Sequence, residues 1–127
     1  MTNTQSNPNE PNQKQFDLID RTTNFAIKII SFVKRIPLNP YTRPIIDQLI
    51  RSGTSIGANY AEADETNSRR DFINKISIAK KETKETRYWL QLIISTPGLV
   101  KAEAEDLQRE ARELNLIFGA IIRNSKS

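Results

Sequence analysis

Apolar residues recur at three- and four-residue steps along most of the chain, the spacing of helices that bury one face. From about Asp17 to Ile36 the stripe is Leu18, Thr22, Phe25, Ala26, Ile29, Ile30, Val33 and Ile36. Lys34 and Arg35 suit the negative end of a helix dipole, and Pro37 stops the helix. The proline-rich linker PLNPYTRP follows. Thr42 or Arg43 can then open a second helix with Pro44 in its first turn, where a missing N–H costs nothing.

The second helix contains the stretch RSGTSIGANYAEAD, from Arg51 to Asp64. Ile45, Ile46, Leu49, Ile50, Gly53, Ile56, Gly57, Tyr60 and Ala61 fall within one arc of a helical wheel, while Arg51, Ser55, Ala58 and Glu62 face away. The two glycines therefore continue the apolar stripe. Each costs about 1 kcal/mol of helix propensity against alanine, so close approach of a neighbouring helix, around a bulky aromatic for example, should offset them. A phosphate-binding loop is excluded, because Gly57 is followed by Ala58-Asn59 rather than Lys-Ser/Thr and no strand precedes it. A nucleophile elbow is excluded too, since it needs a sheet and a histidine partner.

The third helix opens near Ser68, an N-cap with Asp71 at the N3 position, and ends at Pro97-Gly98. Its stripe is Phe72, Ile76, Ala79, Thr83, Thr86, Leu90, Ile93 and Ile94. The fourth starts around Lys101 and shows Leu107, Ala111, Leu114, Ile117 or Phe118, and Ile121. Its early acids Glu103, Glu105 and Asp106 and its late Arg123 and Lys126 complement the dipole. No alternating strand pattern occurs. The expected fold is all-α, an antiparallel up-down-up-down four-helix bundle over residues 16–125. Residues 1–15 are polar with almost no apolar content, and the expectation there is a disordered tail.

Composition narrows the function. A chain of 127 residues fits one domain. No apolar run approaches the roughly 18 residues of a membrane span, and the N-terminus lacks a secretory pattern, so the expected location is cytoplasmic with no membrane partner. The chain has neither cysteine nor histidine. That removes thiolate chemistry, the usual neutral-pH general base, the commonest metal ligand and every histidine-containing triad. The expectation is no enzyme, no catalytic residue, no cofactor and no metal. Glu62, Asp64 and Glu65 could in principle approach a cation, but no Glu-x-x-His pattern accompanies them, and solvated carboxylates are the better reading.

Charge adds a feature that periodicity does not. Residues 67–95 hold seven of the 19 basic residues but only three of the 15 acids, so the net charge of +4 resides on the third helix. Arg69, Arg70, Lys80, Lys81, Lys84 and Arg87 share one arc of about 120° beside the core stripe. Asp71, Glu82 and Glu85 occupy the other flank, with Lys75 among them at i+4 from Asp71. Two readings fit the cations. One is a polyanion contact driven by counterion release, with Tyr88 placed to stack on a base and Arg51 of helix two as a further contact. The other is a solvated face, with Lys81–Glu85 as a surface pair. Ile78 and Trp89 lie opposite the basic arc, off the core stripe. Partial exposure or cover for an adjacent helix would explain them, but a subunit interface, where tryptophan is enriched, is favoured.

The segments RSGTSIGANYAEA (51–63), DFI-x-KISIAKKE (71–82) and ETRYWL (85–90) together resemble the bacterial family of 23S ribosomal RNA intervening-sequence proteins. The resemblance covers roughly residues 16–125 and is densest from Leu49 to Leu92. It implies a four-helix bundle that assembles as a homopentameric ring and carries no established catalytic centre. The family is similar to the accessory variability determinant of diversity-generating retroelements, which binds nucleic acid and works with a reverse transcriptase. The expected function is a homo-oligomeric bundle binding RNA or DNA through the basic third helix. The alternative is a scaffolding protein whose partner is another polypeptide, such as a reverse transcriptase.

Overall fold

Four α-helices, α1 (Gln13–Val33), α2 (Arg43–Asp64), α3 (Arg69–Ile94) and α4 (Ala102–Ser125), make up the architecture. The computed structural model describes residues 13–126, and no strand occurs among them. The expected polar tail lies outside the described residues as far as residue 12, and α1 begins at Gln13, four residues before the apolar stripe. Gln and Lys are good helix formers, so the helix extends past the point where periodicity can detect it. It ends before Ile36 as well. The N–H groups of Arg35 and Ile36 bond to carbonyls three residues back, at 3.0 and 3.1 Å, which tightens the last turn before Pro37.

Thr42 caps the entry to α2 without a side-chain bond to the helix. Its hydroxyl instead donates to the Pro37 carbonyl at 2.6 Å, and Asn39 Oδ1 accepts from the backbone N–H groups of Tyr41 and Thr42 at 2.9 Å each. The short linker is thereby fixed by its own polar groups. At the start of α3, Ser68 is extended (φ −129°, ψ 151°) and its hydroxyl accepts from the Asp71 N–H at 3.1 Å, the N-cap expected there.

α3 packs on both α2 and α4, α1 packs mainly on α2, and the α1/α4 seam is the thinnest. One core runs through the bundle, with Leu49, Ile56, Ile76, Leu90, Leu114 and Phe118 fully buried. Of the alternatives on α4, Phe118 is the core residue and Ile117 is half-buried. Phe118 stacks with Tyr60 at 6.0 Å between ring centroids. Burial, with help from the Asp64 charge, pushes the Tyr60 hydroxyl up to about 12.

On α1 the stripe is rotated from expectation. Ile30 is 40% exposed and Phe32 is buried in its place. Phe32 lies on the same side as Phe25 and Ile29, toward the bundle axis, whereas Ile30 lies on the far flank. The glycines of α2 explain how closely α1 approaches. A Cβ on Gly53 would sit 3.0 Å from Ile29 Cγ1, and one on Gly57 would sit 3.1 Å from Thr22 Oγ1. The close neighbours are thus a β-branched pair on α1, with no aromatic ring involved. Thr22 itself is buried, and its hydroxyl donates to the Leu18 carbonyl at 2.8 Å.

Candidate nucleic-acid interface

The basic side of α3 follows from how the helix is shared between its neighbours. One flank meets α2 and carries Glu82, Glu85 and Trp89; the other meets α4 and carries Lys80, Lys84 and Arg87. Arg69, Arg70, Lys81 and Lys84 are exposed, while Lys80 and Arg87 are half-buried. From Arg69 to Arg87 the row extends about 27 Å at 1.5 Å per residue. Among the described residues, none of these six makes an ion pair with a carboxylate. Tyr88 lies on the same side, 57% exposed, with its ring edge-on to Trp89 at 5.0 Å.

Two of the three acids of α3 are occupied elsewhere. Arg51 of α2 reaches across the seam to Glu82, at 3.3 Å, and to Glu85. The Glu85 carboxylate also accepts from Trp89 Nε1 at 3.2 Å. Hydrogen bonding to Arg51 is the main reason the Glu85 carboxyl is held below the usual carboxylate range, and the same bonds raise Arg51. Lys75 pairs with Glu62 at 2.6 Å rather than with Asp71.

Two expectations change accordingly. Arg51 was expected as an outer contact for a polyanion, but its guanidinium is bonded to two carboxylates. Glu85 bonds to Arg51 and not to Lys81, which leaves Lys81 free of a bonded carboxylate. Glu62 is likewise taken up by Lys75, and among the described residues no group of three or more acids is placed to hold a metal ion.

Ile78 and Trp89 both lie on the α2 side of α3. Ile78 is 40% exposed. Trp89 is half-buried, packed against the core and hydrogen-bonded to Glu85, so much of its surface is already used within the chain.

The α4 contribution to the basic side was not anticipated. Gln108 Nε2 donates to the Arg87 carbonyl at 3.1 Å, and Asn115 Nδ2 donates to the Lys80 carbonyl at 3.2 Å and to Thr83 Oγ1 at 2.9 Å. These amides hold α4 in register beside the cations. They also bring Arg123 next to Lys80, Lys81 and Lys84 in a groove of about 540 Å³. In the sequence Arg123 reads only as a cation at a helix C-terminus. Among the described residues, two buried side-chain polar atoms of α3 have no hydrogen-bond partner, Arg87 Nε on the α4 side and Glu82 Oε1 on the α2 side.

Among the described residues, no helix is long and apolar enough to cross a membrane. The family model for the 23S rRNA-intervening sequence protein matches residues 14–120. The chain is also similar to a protein of unknown function from the S23 ribosomal protein family of Bacteroides thetaiotaomicron, whose crystal structure was determined at 1.70 Å. The two share 38% sequence identity and a TM-score of 0.73, over 83% of this chain and 97% of the other. Among curated proteins none matches significantly.

Proposed function

The chain belongs to the 23S rRNA-intervening sequence protein family, and from that premise we propose that it is a non-enzymatic, homo-oligomeric bundle that binds nucleic acid through the basic side of α3. The observation that carries the reading is the separation of charge on that helix. Among the described residues, six cations have no bonded carboxylate, while the acids of the same helix lie on the opposite flank, two of them tied to Arg51. Unpaired cations in a row are what phosphates need, because the counterions they displace supply the affinity. The family's name refers to 23S rRNA, so RNA is the polyanion to test first, with DNA as its competitor.

The bundle reads as antiparallel and up-down-up-down. Supporting this, partner numbers fall along one helix as they rise along the next: Thr22 with Gly57 and Ile29 with Gly53, then Arg51 with Glu85 and Glu62 with Lys75. The site is cytoplasmic in this reading, and self-association uses the side of α3 that carries Ile78. A pentamer, which the family resemblance implies, and an accessory role beside a reverse transcriptase belong to the same proposal.

The test is binding of mixed RNA by fluorescence anisotropy at several salt concentrations. Log affinity should fall against log salt with a slope of about 0.7 per phosphate on single strands and about 0.9 on duplex. A flat response would overturn the reading. Reversing Lys80, Lys81 and Lys84 to Glu should abolish RNA binding while captured protein partners remain. Loss of protein partners with RNA binding intact would favour the scaffolding alternative.

A further inference from the structure

The groove between α3 and α4 differs from the rest of the basic row. Lys80, Lys81 and Lys84 enter it from α3 and Arg123 from α4, and among the described residues no carboxylate lines it. Its floor is Gly119. A Cβ built there would lie 3.3 Å from Lys80 Cε and 3.6 Å from Arg123 Nη1. The Lys80 side chain and the Arg123 guanidinium therefore both border the point that a methyl group would take. Side chains on a helix lean toward its N-terminus, so Arg123 is directed back over the turn that holds Gly119. Asn115, one turn earlier, bonds to the Lys80 carbonyl and to Thr83 and fixes the position of α3 relative to this point.

Like charges lining one groove without an acid among them repel, and an anion seated there relieves the repulsion. We propose that the groove over Gly119 is a discrete site for a phosphate monoester, held by Lys80 and Arg123 and bordered by Lys81 and Lys84. A diester in the middle of a strand carries a single charge and is suited to the spaced cations along α3. A monoester carries about two charges at neutral pH and offers three oxygens, which suits cationic donors from two helices lining one groove. The groove volume of about 540 Å³ leaves room for an attached nucleoside.

This rests on the reading of α3 as a nucleic-acid-binding face and assigns to it the recognition of a strand's terminal phosphate. The same chemistry would accept a free nucleotide or inorganic phosphate, and the assay separates these sources.

The experiment compares two RNA oligonucleotides of one sequence, 5′-phosphorylated and 5′-hydroxyl, by fluorescence anisotropy at moderate salt. The phosphorylated strand should bind about three- to tenfold tighter. Arg123→Gln should remove that difference while both strands still bind. NMR titration with inorganic phosphate should perturb Gly119 in the unmodified protein and not in Arg123→Gln. Equal affinity for the two strands, or a preference that survives Arg123→Gln, overturns the site and leaves the basic face of α3 standing. If neither strand binds but inorganic phosphate still perturbs Gly119 in an Arg123-dependent way, the site stands and the RNA reading falls.

Discussion

Ser52 of α2 and Thr86 of α3 meet hydroxyl to hydroxyl at 2.9 Å, with neither residue exposed to solvent. Thr86 Oγ1 also lies 2.8 Å from the Glu82 carbonyl, whereas Ser52 Oγ has only the Leu49 carbonyl at a long 3.4 Å. Each hydroxyl has one proton to donate. The pair is satisfied when one proton lies between the two oxygens and the other points at a carbonyl.

The two partners should therefore respond unequally to mutation. Ser52→Ala leaves Thr86 its good carbonyl and should cost about 0.5–1.5 kcal/mol, whereas Thr86→Val strands Ser52 and should cost about 1–3 kcal/mol. The double variant should cost less than the two singles together, with a coupling of about 0.5–1.5 kcal/mol. Urea denaturation of the four proteins measures the cycle. Strict additivity would mean that the two hydroxyls do not depend on each other.

Substitution of the helix glycines should give opposite results at two positions. Gly53→Ala gains about 1 kcal/mol of helix propensity but drives a methyl group to 3.0 Å from Ile29 Cγ1, on a fully buried side chain that cannot move away. Overpacking of this kind costs about 1–3 kcal/mol, and the net change should be destabilising. At Gly119 the nearest neighbour is the flexible end of Lys80, at 3.3 Å. Gly119→Ala should be neutral or stabilising by up to about 1 kcal/mol. Thermal unfolding of the two variants decides it, and equal effects would show that the α1/α2 approach is not tight.

Four helices and the inward face of three of them were legible because each buries one stripe, and a stripe is a property of a single segment. What depends on two segments was not legible. Thr86 falls in the expected stripe of α3, but Ser52 lies outside that of α2, and its burial and its bond to Thr86 follow only from the register of α2 on α3. Ile30 and Phe32 exchange places because the rotation of α1 is decided by the neighbours it packs on. Arg51 looks like a free outer cation until the acidic flank of α3 is set beside it. Lys80 and Arg123 are joined by Gly119, and no spacing within one helix connects them.

Acid should weaken the hold of Arg51 on Glu85. Its carboxyl is held below the ordinary range by Arg51 first and by the indole N–H of Trp89 as well. The stability it contributes is fully present above the unfolded carboxylate value of about 4.3 and is lost as pH falls through the lower folded value. Both partners are partly solvated, so solvent screening keeps the contribution below about 1 kcal/mol. Glu85→Gln should be less stable than the parent at pH 7 and indistinguishable from it once Glu85 is protonated. Trp89 is the single tryptophan, and its emission should change with that same low midpoint and lose the transition in Glu85→Gln.

Self-association should depend on Ile78 more than on Trp89. Ile78 is 40% exposed on the side of α3 away from the free cations, so a partner subunit there would bury new apolar surface without masking the basic row. Trp89 already covers part of the core and donates its N–H to Glu85. Its removal should lower the stability of each subunit as well as any assembly. Ile78→Glu places a charge where an interface would exclude water, which is costly when unpaired, yet in a lone subunit that position stays solvated. The variant should therefore shift the mass measured by light scattering toward the monomer while moving the unfolding temperature little. A parent protein that is monomeric at micromolar concentration would remove the interface, and an oligomer unchanged by Ile78→Glu would place it on another face.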